Sequence, residues 1–107
     1  MENKEAVAAC LVALDGALFK ALAEPARIDI LRVLILHGRQ DVGSVAAQVP
    51  QDRSVVARHL RTLELAGLLR ASSEGRHTFY EIDGAGVVRQ LESLLALFRQ
   101  LAPSCCP

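Results

Sequence analysis

Three arginines, a serine and an alanine lie on one face of the helix predicted over residues 52–66. Steps of about 100° per residue place this set within about 140° of arc, on the side opposite three apolar residues. An arginine fork can bond a guanine edge or a phosphate, a serine can reach either, and alanine permits close approach. The alternative is an ordinary solvated helix face. The candidate DNA-contacting residues are Arg53, Ser54, Ala57, Arg58 and Arg61; the apolar residues are Val56, Leu60 and Leu63.

A further arginine, Arg76, follows Gly75 at the tip of a predicted β-hairpin. From there it could reach phosphates or an adjacent minor groove, or it could be a solvated turn residue. Between Gln51 and Tyr80 there are five arginines and three acidic residues, a surplus of two positive charges. The whole chain has 12 basic and 12 acidic residues. Any nucleic-acid interface must therefore be local, because the overall charge attracts no polyanion.

The cysteines form a second candidate site, consisting of Cys10 in the first predicted helix and the adjacent pair Cys105 and Cys106. A disulfide between neighbouring residues is strained, so that pair is a poor resting bridge. Three thiolates suit a soft ion with three-fold sulfur coordination, best trivalent arsenic or antimony, alternatively cadmium or lead; zinc would want a fourth ligand. We expect Cys10 to be partly protected rather than deeply buried. The alternative is a frayed tail with incidental thiols and a small apolar Cys10 in the core.

Local signals predict a mainly α-helical chain with one small β-hairpin, in the order α-α-α-α-β-β-α. Gly16 is a weak point of the first helix, Pro25 opens the second, Gly38 caps it, and Asp52 caps the fourth. A tight turn over residues 73–76 joins the strands, and Pro103 should stop the last helix. The predicted helices cover residues 4–22, 25–37, 42–48, 52–66 and 85–101, and the strands cover 68–72 and 77–82.

The bulk composition fits a single domain over residues 1–107. Hydrophobic residues make up 51% of the chain but aromatic residues only 4%, which favours a core of packed helices. We expect a cytoplasmic protein without a membrane partner, because no signal peptide or membrane-spanning run is visible and the odd cysteine count does not suit a disulfide framework. No acid–base constellation or phosphate-binding glycine loop is present, so we expect no enzyme and no organic cofactor.

Three blocks of sequence, in order, resemble the ArsR/SmtB family of metalloregulatory repressors. The segment Phe19–Ile28 with Ile30 and Leu31 is similar to the family's opening motif "FKALADPTRLxIL". The recognition segment "SRHLxxLxxAGL" and the wing motif "EGRxxxY" follow. The residues that carry them are Arg58, His59, Leu60, Leu63, Ala66, Gly67 and Leu68, then Gly75, Arg76, Phe79 and Tyr80. The resemblance covers residues 19–82.

This resemblance implies a dimeric winged helix-turn-helix repressor that binds double-stranded operator DNA. Residues 42–82 would form the DNA-binding helix-turn-helix and wing, and the terminal helices 4–22 and 85–101 would pair two copies of the chain. Both terminal helices carry an apolar stripe, which agrees with a homodimer; alternatively, the stripes only cover the core of a monomer. Repression would end when an inducer binds.

The family's two usual inducer sites are missing. Its "CVC" signature aligns with Asp41-Val42-Gly43, and the last helix has no Asp-x-His pair. We therefore expect the inducer at Cys10 and at Cys105 and Cys106 in the tail, residues 102–107. Binding would tie the tail to the first helix and shift the dimer to a conformation that no longer fits successive major grooves. Two alternatives stay open: a thiol-redox or persulfide-responsive repressor, and an interaction module that does not bind DNA.

Overall fold

The computed structural model describes residues 4–105, and the side chains of residues 4–101. It is mainly helical with a three-stranded antiparallel sheet, as the sequence predicts apart from the first strand. The helices are α1 (Lys4–Leu14), α2 (Ala17–Leu22), α3 (Pro25–His37), α4 (Val42–Ala46), α5 (Arg53–Leu65) and α6 (Gly84–Cys105). The strands are β1 (Gln40–Asp41), β2 (Leu69–Glu74) and β3 (His77–Ile82).

The first predicted helix is in fact two helices, so the single span 4–22 is wrong. The Asp15 N–H donates to the Val12 carbonyl at 3.1 Å and the Gly16 N–H to the Ala13 carbonyl at 3.0 Å, a tightened last turn. Gly16 then adopts an extended conformation, with φ −84° and ψ 173°, and opens α2. A glycine in a helix interior carries a high entropic cost, so the break falls at this weak point.

The boundaries of α3 and α5 follow their predicted caps. The Glu24 carboxylate accepts from the Ala26 N–H at 3.3 Å ahead of Pro25. Gly38 ends α3 with φ +78°, a conformation that L side chains rarely adopt, and its N–H donates to the Leu34 carbonyl at 2.9 Å. Asp52 caps α5 by accepting from the Val55 N–H at 3.1 Å.

Three other predicted boundaries differ from the structure. Strand β2 continues to Glu74 instead of ending at residue 72, while β3 has its predicted bounds, so the connecting turn is Gly75-Arg76 rather than four residues. Helix α4 ends at Ala46, two residues early. Pro103 does not stop α6, which continues to Cys105. A proline lacks the N–H that would donate to the carbonyl four residues earlier, so it weakens the last turn of α6 but does not end the helix there.

The two-residue strand β1 was not predicted. It pairs antiparallel with β3, Gln40 opposite Tyr80 and Asp41 opposite Phe79, and gives the sheet order β1-β3-β2. On the other edge of β3, Leu69 lies opposite Ile82 and Glu74 opposite His77. Two residues are too few to show the alternation of apolar and polar side chains that predicts a strand. Strand β1 forms only because it pairs with β3.

The core lies between α3, α4, α5 and the sheet. Its fully buried side chains come from all three helices and are Ile30, Leu34, Val45, Val56, Leu60 and Leu63. Helices α1 and α6 pack against each other at the side of this core. Among the described residues no single helix is long and apolar enough to cross a membrane, although residues 4–22 and Pro25–His37, bent by 68°, reach that length and composition together.

Candidate nucleic-acid interface

Helix α5 presents two chemically different faces, as its sequence pattern predicts. Val56, Leu60 and Leu63 are all 0% exposed and hold the helix on the core. On the other face the structure leaves four predicted residues exposed and Ala57 half-buried. The exposed residues are Arg53, Ser54, Arg58 and Arg61. The guanidinium groups therefore point away from the core, where a duplex could lie against them.

The start of α5 is fixed by the Asp52 carboxylate. One oxygen, Oδ1, accepts from the Val55 N–H at 3.1 Å and from the Ser54 hydroxyl at 2.9 Å. These hydrogen bonds, that of Val55 first, lower the pKa of Asp52 below its usual range. The Ser54 hydroxyl thus donates its proton to Asp52, and its oxygen can act only as a hydrogen-bond acceptor toward any other partner. If Ser54 contacted a duplex in this orientation, its partner would be a base-edge donor rather than a phosphate.

The hairpin brings Arg76 next to the start of α5. Gly75, with φ +61°, makes the tight turn, and Arg76 follows it as an exposed residue. Arg53, Ala57 and Arg76 line one cavity of about 220 Å³. We call the set Arg53, Ser54, Ala57, Arg58, Arg61 and Arg76 the basic surface. Its members come from two elements that the tertiary fold places side by side.

Asp41 links α4 to the hairpin, a role that sequence reasoning missed. Its Oδ1 accepts from the Ser44 N–H at 3.1 Å and so caps α4, while Oδ2 lies 3.4 Å from His77 Nδ1 on β3. Hydrogen bonds from Ser44 are the main cause of the lowered pKa of Asp41, and His77 adds to it. An aspartate three residues before a serine N–H is a recognisable N-cap signal, but the contact with His77 has no local signal.

Arg39 holds the two hairpin strands from the side, and it too was missed. Its Nη2 donates to the Ser72 hydroxyl and to a Glu74 carboxylate oxygen, each at 3.0 Å. The guanidinium carbon lies 4.1 Å from the centroid of the Phe79 ring, a cation–π distance. These contacts orient the hairpin that carries Arg76. They join residues 33 to 40 positions apart, so no sequence window contains them.

Behind α5, Arg27 ties the helix to the end of α2. Its Nε donates to the Ala21 carbonyl at 2.8 Å and its Nη2 to the Lys20 carbonyl at 3.0 Å, which satisfies the last turn of α2. Its Nη1 lies 3.4 Å from His59 Nδ1. Burial first, then the charges of Arg27 and Arg58, lower the pKa of His59. A neutral His59 can accept this hydrogen bond from Arg27.

The cysteines differ from the prediction in one respect. Cys10 is 4% exposed, so the expectation of a partly protected thiol is wrong. Cys10 and Ala6 are the buried residues of α1, which packs against α6. Cys106 lies outside the described residues, and Cys105 ends α6 with its side chain outside them. Within the part of the chain whose side chains are described, no three His, Cys, Asp or Glu residues could hold a metal ion.

Helices α1 and α6 expose large apolar side chains, seven of which we call the terminal-helix stripe. Each is between 43% and 62% exposed. Its members are Val7, Leu11, Leu14, Val88, Leu91, Leu95 and Phe98. Leu18 of α2 and Val87 of α6 pack against the core, whereas the residues of the terminal-helix stripe stay exposed in a single subunit.

Comparison with known proteins identifies relatives, although no protein-family model matches the chain. The chain is 31% identical over 84 residues to the cadmium resistance transcriptional regulatory protein CadC homologue of Staphylococcus aureus, covering 78% of this chain and 69% of that protein. Among solved structures, a possible transcriptional regulator for arsenical resistance is 34% identical, with a TM-score of 0.64 over 82% of this chain and 95% of the other.

A third comparison concerns assembly. The homodimeric winged helix-turn-helix DNA-binding domain of a possible ArsR-family regulator from Mycobacterium bovis superimposes with a TM-score of 0.65 at 28% identity. It covers 100% of this chain and 92% of the other. The short helix α4, the basic helix α5 and the hairpin wing thus define the class of this protein, a winged helix-turn-helix transcriptional regulator. The chain belongs to the ArsR family of DNA-binding regulators, which confirms the resemblance seen in its sequence.

Proposed function

We propose that this regulator is a repressor that binds operator DNA as a homodimer through the basic surface. The observation that carries the proposal is the division of α5 into a face that is 0% exposed and a face of exposed arginines. In a helix-turn-helix protein the second helix lies in the major groove and the preceding helix crosses the backbone. Here α5 is the second helix, which would lie in the major groove, and α4 is the helix that precedes it.

The wing extends the contact beyond α5. Since Arg53 and Arg76 line the same cavity, the hairpin tip and the first turn of α5 reach one side of the subunit together. Arg58 and Arg61, further along α5, would then read base edges or phosphates in the major groove. Arg76 would contact the backbone or the adjacent minor groove.

Dimerisation is supported by the terminal-helix stripe and by the homodimeric relative. A twofold interface uses the same patch on both subunits, so one charge placed in it meets its own copy or an apolar partner. We expect Leu95→Glu, 49% exposed in the subunit, to convert a dimer into a monomer in analytical ultracentrifugation. Leu36→Glu is the control, because Leu36 is 76% exposed on α3 and outside the stripe. A monomeric wild type, or equal dimers in all three proteins, would contradict the proposal.

The inducer we propose is trivalent arsenic or antimony bound by Cys10, Cys105 and Cys106. The proposal is supported by the chemistry of three thiolates and by relatives described as regulators of arsenical and cadmium resistance. The burial of Cys10 adds a mechanism. Because this thiol is 4% exposed on a helix that packs against α6, its coordination would require α1 to shift relative to its neighbours. Since both helices carry the stripe, the inducer would act directly on the dimer.

A titration of the DNA complex with arsenite, antimonite, cadmium and tetrathionate tests the inducer. Arsenite or antimonite should release DNA from the wild type and from no cysteine variant, and thiolate–arsenic absorption should report the number of ligands. Cys10→Ala is preferable to Cys10→Ser, because a serine hydroxyl at this 4% exposed position would be removed from water and would destabilise the fold. Release by tetrathionate alone, reversed by dithiothreitol, would instead establish the thiol-redox alternative.

Binding to DNA itself is tested with duplexes selected from random sequence. The proposal predicts affinity that falls steeply with salt, because phosphate contacts release counterions. A purified dimer without salt-dependent affinity for any duplex at low ionic strength would establish the interaction-module alternative instead.

A further inference from the structure

A cavity of about 510 Å³ lies where the end of α1 and the start of α2 meet α6, and neither Cys10 nor a residue of the basic surface lines it. Leu18, Phe19, Leu94 and Leu97 give it apolar walls, and Arg89 and Ser93 give it a polar side. This size and this mixture are typical of small-molecule sites. We propose that the cavity binds a small organic anion with an apolar body, and that this ligand regulates DNA binding.

The charge of the ligand follows from the polar lining. Arg89 contributes a permanent cation. The acidic lining residue, Asp83, already serves the start of α6, where its Oδ1 accepts from the Gly86 N–H at 3.1 Å. Ser93 lies four residues after Arg89 and so on the same side of the helix. A guanidinium fork with a hydroxyl one turn away is suited to a carboxylate, while the leucines and Phe19 suit an aromatic or alkyl body.

The cavity and the terminal-helix stripe occupy different sides of α6. At about 100° per residue, the cavity residues Arg89, Ser93 and Leu97 centre about 180° away from the stripe residues Leu91 and Leu95. Packing a second copy on the stripe therefore leaves the cavity side of α6 facing α1 and α2 of its own subunit. The ligand site and the dimer contact can be filled at the same time.

A hydrogen bond connects the cavity with the end of α5. The lining residue Gln90 donates from Nε2 to the Ala66 carbonyl at 3.0 Å. The next residue, Gly67, also lines the cavity, and a Cβ added there would lie 2.7 Å from Gln90 Nε2. A ligand that displaces Gln90 must therefore disturb the C-terminal cap of the basic helix. This regulatory half of the inference rests on the proposed function; binding in the cavity does not.

Ligand binding is tested on the full chain with phenylacetate and 4-phenylbutyrate as probes and phenylacetamide as the neutral control. The acids should raise the melting temperature by about 2 °C or more once their concentration reaches the dissociation constant. Arg89→Leu should abolish the shift. Arg99→Leu, an exposed arginine of α6 outside the cavity, should retain it.

A second measurement needs no variant. In a ¹⁵N spectrum the acids should move the amide signals of Gly16, Gly67 and Gly86, which line the cavity, and leave that of Gly75 at the wing tip in place. The inference is overturned if neither acid gives a shift, if the amide acts as well as the acids, or if Arg89→Leu responds like Arg99→Leu. Normal DNA binding without any response to the acids would refute this regulation alone, whereas loss of all DNA binding would refute the proposed function.

Discussion

Replacing Arg58 by alanine changes the dimer twice, once in each half of the proposed operator complex. The basic surface holds four exposed arginines per subunit, Arg53, Arg58, Arg61 and Arg76. If all of them neutralise phosphates in a dimer, log K should fall with log salt with a slope of about −7. Between 50 and 200 mM salt the affinity would then fall roughly 10⁴-fold. Removing both copies of Arg58 should make the slope shallower by about 2 units.

A base contact gives a different result. If Arg58 bonds a guanine, the salt slope should stay near its wild-type value. The affinity for a selected duplex should fall by about 1–3 kcal/mol for each lost contact, and the sequence preference should relax at one position of each half-site. Comparing the slope with the loss of specificity therefore assigns Arg58 to the backbone or to the bases.

Fluorescence anisotropy measures both quantities, with the selected duplex and a scrambled duplex over a salt series. Arg99→Ala is the matched control, because Arg99 is an exposed arginine on α6 outside the basic surface. The reasoning is refuted if Arg58→Ala keeps both the wild-type slope and the wild-type specificity. It is also refuted if Arg99→Ala has the same effect as Arg58→Ala.

Three further predictions concern the parts that position the basic surface. Leu60→Ala, at a site 0% exposed, should lower the free energy of unfolding by about 2–5 kcal/mol in urea, whereas Leu65→Ala, 75% exposed on the same helix, should stay within about 0.5 kcal/mol; similar losses would show that the two faces of α5 are misassigned. Arg39→Met should cost about 0.5–1 kcal/mol through the lost contact with Phe79 and should also weaken DNA binding measured by anisotropy, since the wing loses its lateral support; unchanged affinity would refute the positioning role. The pKa of His59 is lowered in the folded state, so the stability it contributes is present above the unfolded pKa of about 6.5 and is lost as pH falls through the folded pKa. Urea unfolding across this range should show a decline that His59→Gln reduces, and an NMR titration giving a pKa above 6.5 would contradict the sign.

The faces and caps of α5 could be predicted because their signals are local. The period of Val56, Leu60 and Leu63 identifies the buried side without knowledge of what covers it. Asp52 acts on an N–H three residues away, within the same turn. Three family-like blocks then indicated the winged helix-turn-helix fold, which the structure and the relatives confirm.

Other features depend on residues far apart in the chain and could not be read in this way. Gly16 was recognised as a weak point, but whether the helix would bend or break there depends on how α2 packs onto α3 and α5. The support of the wing by Arg39 joins it to Ser72 and Glu74. The strand β1 exists because β3 offers it a free edge.

The sequence by itself determined the element types, the basic side of α5 and the family, because helical period, cap chemistry and motif order are written in consecutive residues. The tertiary structure decided that Arg53 and Arg76 line one cavity, that Cys10 is buried, and that α6 has one side toward a second cavity and another that exposes the terminal-helix stripe. Such juxtapositions follow from packing between segments that are distant in the chain. The free energy of this packing depends on the shapes of both segments, and the sequence pattern of one segment alone does not give it.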